Sequence, residues 1–180
     1  MAHATAAIED MEAEGEEGGT EARNEVTDAL FEENLAAVPH GPLVAVHPGT
    51  TVAETIRAMN QQHTGCAVVA DEKTGELVGI FTERDVLTRV AVRKLDVEQT
   101  PVAEVMTRDP DTLPAEATVA FALRQMTVEG YRNIPLVDAN RRPVGVIAVR
   151  DIVAWLCELF PASVLNLPPT LSFPMSEDGG

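Results

Sequence analysis

The densest chemistry in the sequence lies at Gly79-Ile80-Phe81-Thr82-Glu83-Arg84-Asp85, where a hydroxyl and a carboxylate stand three residues apart. An ionised aspartate offers two acceptor oxygens, which suits two neighbouring hydroxyls of a ligand. Thr82 can cap a helix that starts behind it or meet a phosphate, because the free N–H groups and the dipole of a helix N-terminus favour an anion. Gly79 lets another stretch of backbone come close. A threonine followed three residues later by an acid is equally a plain helix-capping pattern, so a structural role and a ligand role both stand on these residues. No other constellation competes with this one. There is no Gly-x-Ser-x-Gly, His-Glu-x-x-His or phosphate-loop motif, which counts against an enzyme. His3, His40, His47 and His63 have no metal-ligand spacing; Cys66 and Cys157 fit neither a disulfide framework nor a zinc site and read as core residues.

The elements that must position this segment occur twice. Thr51-Val52-Ala53 through Met59 returns as Thr118-Val119-Ala120 through Met126, and Ala67-Val68-Val69-Ala70-Asp71 falls on Ile134-Pro135-Leu136-Val137-Asp138, both 67 residues on. Gly79 through Asp85 falls on Gly145 through Asp151 at 66, so the first hairpin has one residue more. Within a unit, a threonine-capped helix with apolar residues at Val52, Ile56 and Met59 precedes two short strands, 66–70 and 76–81, joined by the polar turn Asp71-Glu72-Lys73-Thr74-Gly75. A second helix begins near Glu83, and its counterpart runs from about Val149 to Phe160. The order is strand, helix, strand, strand, helix.

Charge and composition set the limits. The 180 residues are 45% hydrophobic, enough to bury a core, and the formal net charge is −16. Eleven acids and one base lie in residues 1–33, which leaves −10 there and only −6 elsewhere. That segment is read as a disordered acidic tail, and residues 161–180, with Pro161, Pro168, Pro169 and Pro174, as a Pro-rich tail without regular structure. An acidic chain is repelled by phosphate backbones and anionic lipid, so neither nucleic acid nor a membrane is expected as partner. The start lacks a basic, apolar leader and no segment is long enough to span a bilayer, from which a cytoplasmic location is expected.

The repeated unit, ending in Gly-x-x-Thr-x-x-Asp, resembles the CBS domain, and two in tandem resemble the paired arrangement called a Bateman module. Three pieces carry the likeness over roughly residues 38–160: Gly79 to Asp85 with its echo Gly145 to Asp151; Val105-Met106-Thr107 ahead of a short strand and helix; and Arg132-Asn133-Ile134-Pro135-Leu136-Val137-Asp138. The resemblance implies an α/β (α+β) fold of two tandem β-α-β-β-α repeats, residues 34–100 and 101–160, with pseudo-twofold symmetry and disordered termini, in a stand-alone CBS protein.

It further implies a regulatory, non-catalytic, energy-sensing module that binds an adenine nucleotide between the repeats and signals to a partner protein. AMP, ADP or ATP is the expected ligand, with S-adenosylmethionine or NAD also compatible, and no cofactor or metal. In the family the aspartate of one repeat holds the ribose together with the strand entrance and pre-proline segment of the other. Carried over, site A comprises Thr82, Arg84, Asp85, Thr107, Tyr131, Arg132, Asn133 and Pro135, with Arg141 and Arg142 adding charge and Tyr131 or Ile134 covering the base. Site B comprises Val44, Thr64, Gly65, Ala67 and Asp151, and departs from the pattern because Ala148 stands where site A has Thr82. The alternative is a ligand-independent dimerisation or scaffolding module, a homodimer built on the apolar side of residues 152–160; Trp155 on that helix reads as packing.

Overall fold

The computed structural model describes residues 26–160. The first repeat runs through β1 (Ala45–Val46), α2 (Val52–Gln61), β2 (Cys66–Ala70), β3 (Leu77–Thr82) and the short α3 (Glu83–Asp85), which continues as a π-helix over Val86–Ala91. It follows α1, residues 26–32. The second repeat supplies β4 (Thr107–Arg108), α4 (Val119–Glu129), β5 (Asn133–Val137), β6 (Pro143–Ala148) and α5 (Val149–Leu159). This is the expected α/β architecture of two tandem β-α-β-β-α units.

The local chemistry explains the elements. Thr51 and Thr118 cap α2 and α4, accepting from the N–H groups of Glu54 at 3.2 Å and Phe121 at 3.3 Å. In the hairpin turns, Asp71 Oδ1 accepts from Lys73 and Thr74, and Asp138 Oδ1 from Asn140 and Arg142. The first turn closes Asp71 to Glu76 and the second Asp138 to Arg142, which accounts for the single residue by which the repeats differ. In the first lobe the sheet order is β1-β2-β3-β4; in the second β5 pairs with β6, and a parallel bridge from Leu113 to Leu136 stands where β1 stands in the first.

Sequence repeat and packing unit do not coincide. A 3-10 turn at Leu35–Ala37 leads the first repeat, yet Leu35 and Val38 lie in the core of the second lobe with Val119, Ile134 and Ile152. The matching turn Val102–Glu104 leads the second repeat, yet Val102, Val105 and Met106 lie in the core of the first with Val52, Val69 and Phe81. The exchange is reciprocal to the residue. Val52 N–H donates to Thr100 and Val102 N–H to Thr50, while Val119 N–H donates to Glu33 and Leu35 N–H to Ala117. These bonds satisfy the first amide of each helix, which no intrahelical carbonyl can reach. Fully burying an aliphatic side chain stabilises by roughly 1.5–3 kcal/mol, so Leu35 at 0% exposure and Val38 at 1% anchor the first leader firmly.

The same packing corrects the N-terminal boundary. Disorder was expected through residue 33, but residues 26–32 are helical and Ala29 and Leu30 pack against the second core. Those two side chains find an apolar surface that the charge-rich composition of the stretch as a whole does not reveal. The rest of the expected tails, residues 1–25 and 161–180, lies outside the described residues.

Candidate functional site

At the end of β3 the backbone of Thr82 is extended, and the chain turns into α3. Thr82 Oγ1 accepts from Asp85 N–H at 3.4 Å and donates to Asp85 Oδ2 at 2.8 Å, and the Thr82 N–H reaches the same oxygen at 2.9 Å. Oδ2 is therefore filled by the capping box. The other oxygen, Oδ1, lies 3.2 Å from Arg89 Nε. Asp85 is buried, but an oxygen with two lone pairs and a single cationic neighbour keeps room for one more donor. The expectation that both oxygens serve a ligand is thus modified: Oδ1 is the available one, and Oδ2 becomes so only if Thr82 releases it.

Gly79 explains how the other repeat reaches this point. A Cβ there would collide with Met106 Sδ and come within 3.0 Å of the Thr107 carbonyl. Bare glycine lets the Met106–Thr107 segment come close where β4 pairs with β3 as the edge strand, Thr107 opposite Ile80. At the equivalent Gly145, the close neighbour is His40, whose Nε2 would lie 2.6 Å from a Cβ.

The two lobes enclose a cleft of about 990 Å³, at the upper end of the ~300–1,000 Å³ usual for small-molecule sites. From the first lobe Thr82, Arg84 and Asp85 line it, and from the second repeat Thr107, Tyr131, Arg132, Asn133 and Pro135. All eight residues expected at site A are brought together. Arg89 and Arg150 also face the cleft, and four arginines there meet three carboxylates, Glu83, Asp85 and Asp111. Asp85 engages Arg89, and Asp111 accepts from the Tyr131 hydroxyl at 2.9 Å. That bond raises the Tyr131 phenol above its ordinary range. Among the described residues Arg84 and Arg132 have no ion-pair partner and remain exposed, so an anion entering the cleft finds two uncommitted guanidinium groups.

Site B is not assembled in the same way. Thr64 and Asp151 border a separate niche of about 20 Å³, room for roughly one water, which needs about 10–15 Å³. Gly65 lines the large cleft instead, while Val44 and Ala67 are packed in the first core. Asp151 Oδ2 accepts from Ala148 N–H at 2.9 Å, but Ala148 has no hydroxyl to return, and only half the capping box forms. The physical reason is apolar packing: Val44, just ahead of β1, and Ala67, in β2, both bury their side chains in the core.

Three further expectations are corrected. Ile134 is buried in the second core, so it cannot cover a base; Tyr131, 38% exposed, can. Arg141 pairs with Asp109 at 2.9 Å and Arg142 Nε donates to the Thr74 carbonyl at 3.2 Å, so both tie the lobes together away from the cleft. Cys66 is buried, which raises its thiol, whereas Cys157 is only partly covered. Trp155 packs in the second core as expected. Sequence reasoning passed over Arg89, although its place four residues beyond Asp85 was a legible signal for an acid–base pair on one helix face. Among the described residues no group of side chains could hold a metal ion, and no helix is long and apolar enough to cross a membrane.

Comparison with known proteins agrees with this geometry. An uncharacterized 17.7 kDa protein from Acidianus ambivalens is 32% identical over 114 residues, 63% of this chain and 67% of that protein. The CBS-domain protein PAE2072 from Pyrobaculum aerophilum, whose structure holds AMP, superposes with a TM-score of 0.63 at 25% identity, over 72% of this chain and 99% of that one. The CBS domain pair of protein MJ0100, solved with 5-methylthioadenosine and S-adenosyl-L-methionine, gives a TM-score of 0.61 at 25% identity, over 69% and 99%. Several longer CBS-domain-containing proteins of Arabidopsis thaliana also match, and this chain spans only about a fifth of their length. The sequence model of the CBS domain itself matches residues 35–92 and 102–158, and with the two repeats, their exchanged leaders and the shared cleft in view, the chain belongs to the CBS-domain family as a tandem pair.

Proposed function

We propose that the cleft binds an adenosine-containing ligand of the AMP, ADP or ATP type and that the pair acts as a regulatory, non-catalytic module. The observation that carries this reading is the convergence of Asp85 and Thr82 from one repeat with Thr107, Tyr131, Arg132 and Asn133 from the other on a single cleft. In this reading a ribose hydroxyl donates to Asp85 Oδ1, the Tyr131 ring covers one face of the base, and phosphates meet Arg84 and Arg132. The adenosine ligands of PAE2072 and of MJ0100 support the ligand class. The uncommitted arginines favour phosphate-bearing ligands over the cationic S-adenosylmethionine. A ligand that touches both repeats stabilises one arrangement of the lobes, and a cytoplasmic partner protein would read that arrangement.

Titration calorimetry with AMP, ADP, ATP, NAD and S-adenosylmethionine tests the reading. Saturable binding of at least one phosphate-bearing ligand is expected; no binding of any of the five would overturn it. The competing reading is an assembly module that needs no ligand. Leu159 at 48% exposure gives α5 an exposed apolar residue, whereas Val153, at 50%, lines the cleft and Ile152 and Trp155 are buried, so only part of the 152–160 face is free for a second copy. A stable homodimer in sedimentation, together with absent binding, would favour it.

A further inference from the structure

Arg89 reaches two parts of the cleft wall at once. Its Nε lies 3.2 Å from Asp85 Oδ1, and its Nη1 donates to the Val105 carbonyl at 2.9 Å. Val105 belongs to the leader of the second repeat, whose Val102, Val105 and Met106 are packed in the first core. Two residues further on, Thr107 pairs with Ile80 and lines the cleft. One planar guanidinium thus joins the carboxylate of the first repeat to the backbone that delivers Thr107 from the second. Lysine, a point charge without a fork, cannot hold both partners in that geometry. Arg89 stands in the π-helix that starts directly after Asp85, and such segments recur at functional sites.

The second repeat has no counterpart. Trp155 occupies the equivalent place, 66 residues on, and is buried in the second core. Asp151 Oδ2 is taken by the Ala148 N–H, and among the described residues its ionic partner is the neighbouring Arg150, at 3.7 Å from Oδ1. The link from carboxylate to leader exists on the Asp85 side alone.

We propose that Arg89 is a positioning residue that holds Asp85 Oδ1 and the Thr107 strand in register, so that a ligand hydroxyl arriving at Asp85 is felt in the leader of the second repeat. This rests on the nucleotide reading above. The leader is where a signal can leave the cleft, because residues 102–107 bridge the two repeats.

The test uses Arg89→Gln and Arg89→Lys, each in the native and the Asp85→Asn background, with AMP and ATP as probes. Binding is followed by calorimetry and the leader by amide hydrogen exchange over residues 102–108. Arg89→Gln is expected to weaken binding about tenfold, the low end for a charge-assisted hydrogen bond because the arginine is partly exposed. Arg89→Lys should lose less. In the Asp85→Asn background Arg89→Gln should cost no further affinity, and ligand should slow exchange over 102–108 in the native protein but not in saturated Arg89→Gln. Unchanged affinity in Arg89→Gln, or the same tenfold loss in both backgrounds, overturns the proposal while leaving the nucleotide reading intact. Failure of the native protein to bind any of the five ligands named above defeats both readings, and is seen before any variant is made. Should Arg89→Gln not fold, judged by Trp155 fluorescence on heating, Arg89→Lys carries the comparison: full affinity with unchanged ligand protection of 102–108 then overturns the proposal.

Discussion

Thr82 Oγ1 donates to Asp85 Oδ2 at 2.8 Å, so the hydroxyl and the carboxylate that face the cleft are already each other's partners before any ligand arrives. The capping role and the binding role share the same atoms. Stability and affinity therefore respond together on this turn.

Thr82→Ala is expected to destabilise the protein by about 1 kcal/mol, the usual cost of an N-cap, and to weaken nucleotide binding in the same variant. The reverse change is available at the second repeat. Ala148→Ser supplies the hydroxyl that half of a capping box lacks beside Asp151, and should stabilise by about 0.5–1 kcal/mol. Urea denaturation of both variants checks the pair; a neutral or destabilising serine would show that the second turn has no room for the missing donor.

Gly79→Ala should cost more than Gly145→Ala. At Gly79 the new methyl meets Met106 Sδ and the Thr107 backbone, and the strand itself must shift. At Gly145 it meets the His40 ring, a side chain that can swing aside once its contact to the Val38 carbonyl is given up. Overpacking of this kind costs roughly 1–3 kcal/mol, with Gly79→Ala expected near the top and Gly145→Ala near the bottom. Only Gly79→Ala should also displace Thr107 and impair ATP binding, which calorimetry reads directly.

The single tyrosine of the chain gives a clean titration. Asp111 accepts from the Tyr131 hydroxyl and raises its pKa in the folded state. With the folded value above the unfolded one, the contribution of this bond is complete below the ordinary tyrosine range and is lost as pH rises through the raised value. Phenolate absorbance should therefore develop at higher pH in the native protein than in Asp111→Asn. Identical midpoints would show that the bond does not persist in solution.

Much of this arrangement is legible in the sequence because it is local or repeated. Thr51 and Thr118 announce their helices, Asp71 and Asp138 their turns, and Gly79 and Gly145 the strand positions that another segment approaches closely. The eight residues of site A follow from matching the two copies against a family pattern, and they do share one cleft. The exchange of leaders is not legible. Leu35 and Val38 have the same spacing as Val102 and Val105, and that spacing is the same whichever lobe buries them. The residues of site B are dispersed for a related reason: Val44 and Ala67 occupy plausible positions in the chain, but their burial is decided by the packing of the first lobe. Arg141 and Arg142 offered charge near the right elements, and only the packing of one hairpin on the other assigns them to Asp109 and Thr74.

Arg132→Ala separates charge from shape. Arg132 is exposed at the cleft and has no ion-pair partner among the described residues, so its loss should weaken ATP about threefold to tenfold, in the range of a screened charge contact. Binding of 5-methylthioadenosine, which has no phosphate, should be unaffected. ATP affinity of the native protein should fall with added salt and the variant should respond less. Equal losses for both ligands would place the arginine against the nucleoside instead.

The most direct measurement compares Asp85→Asn with Asp151→Asn in calorimetric titrations with AMP and ATP. The carboxylates are repeat equivalents, but only Asp85 opens on the large cleft. The expected result is saturable binding by the native protein, a loss of at least about tenfold in Asp85→Asn, as for a charge-assisted hydrogen bond, and little change in Asp151→Asn. Binding that survives Asp85→Asn and disappears with Asp151→Asn would contradict the assignment of the nucleotide to the cleft between Thr82 and Arg132.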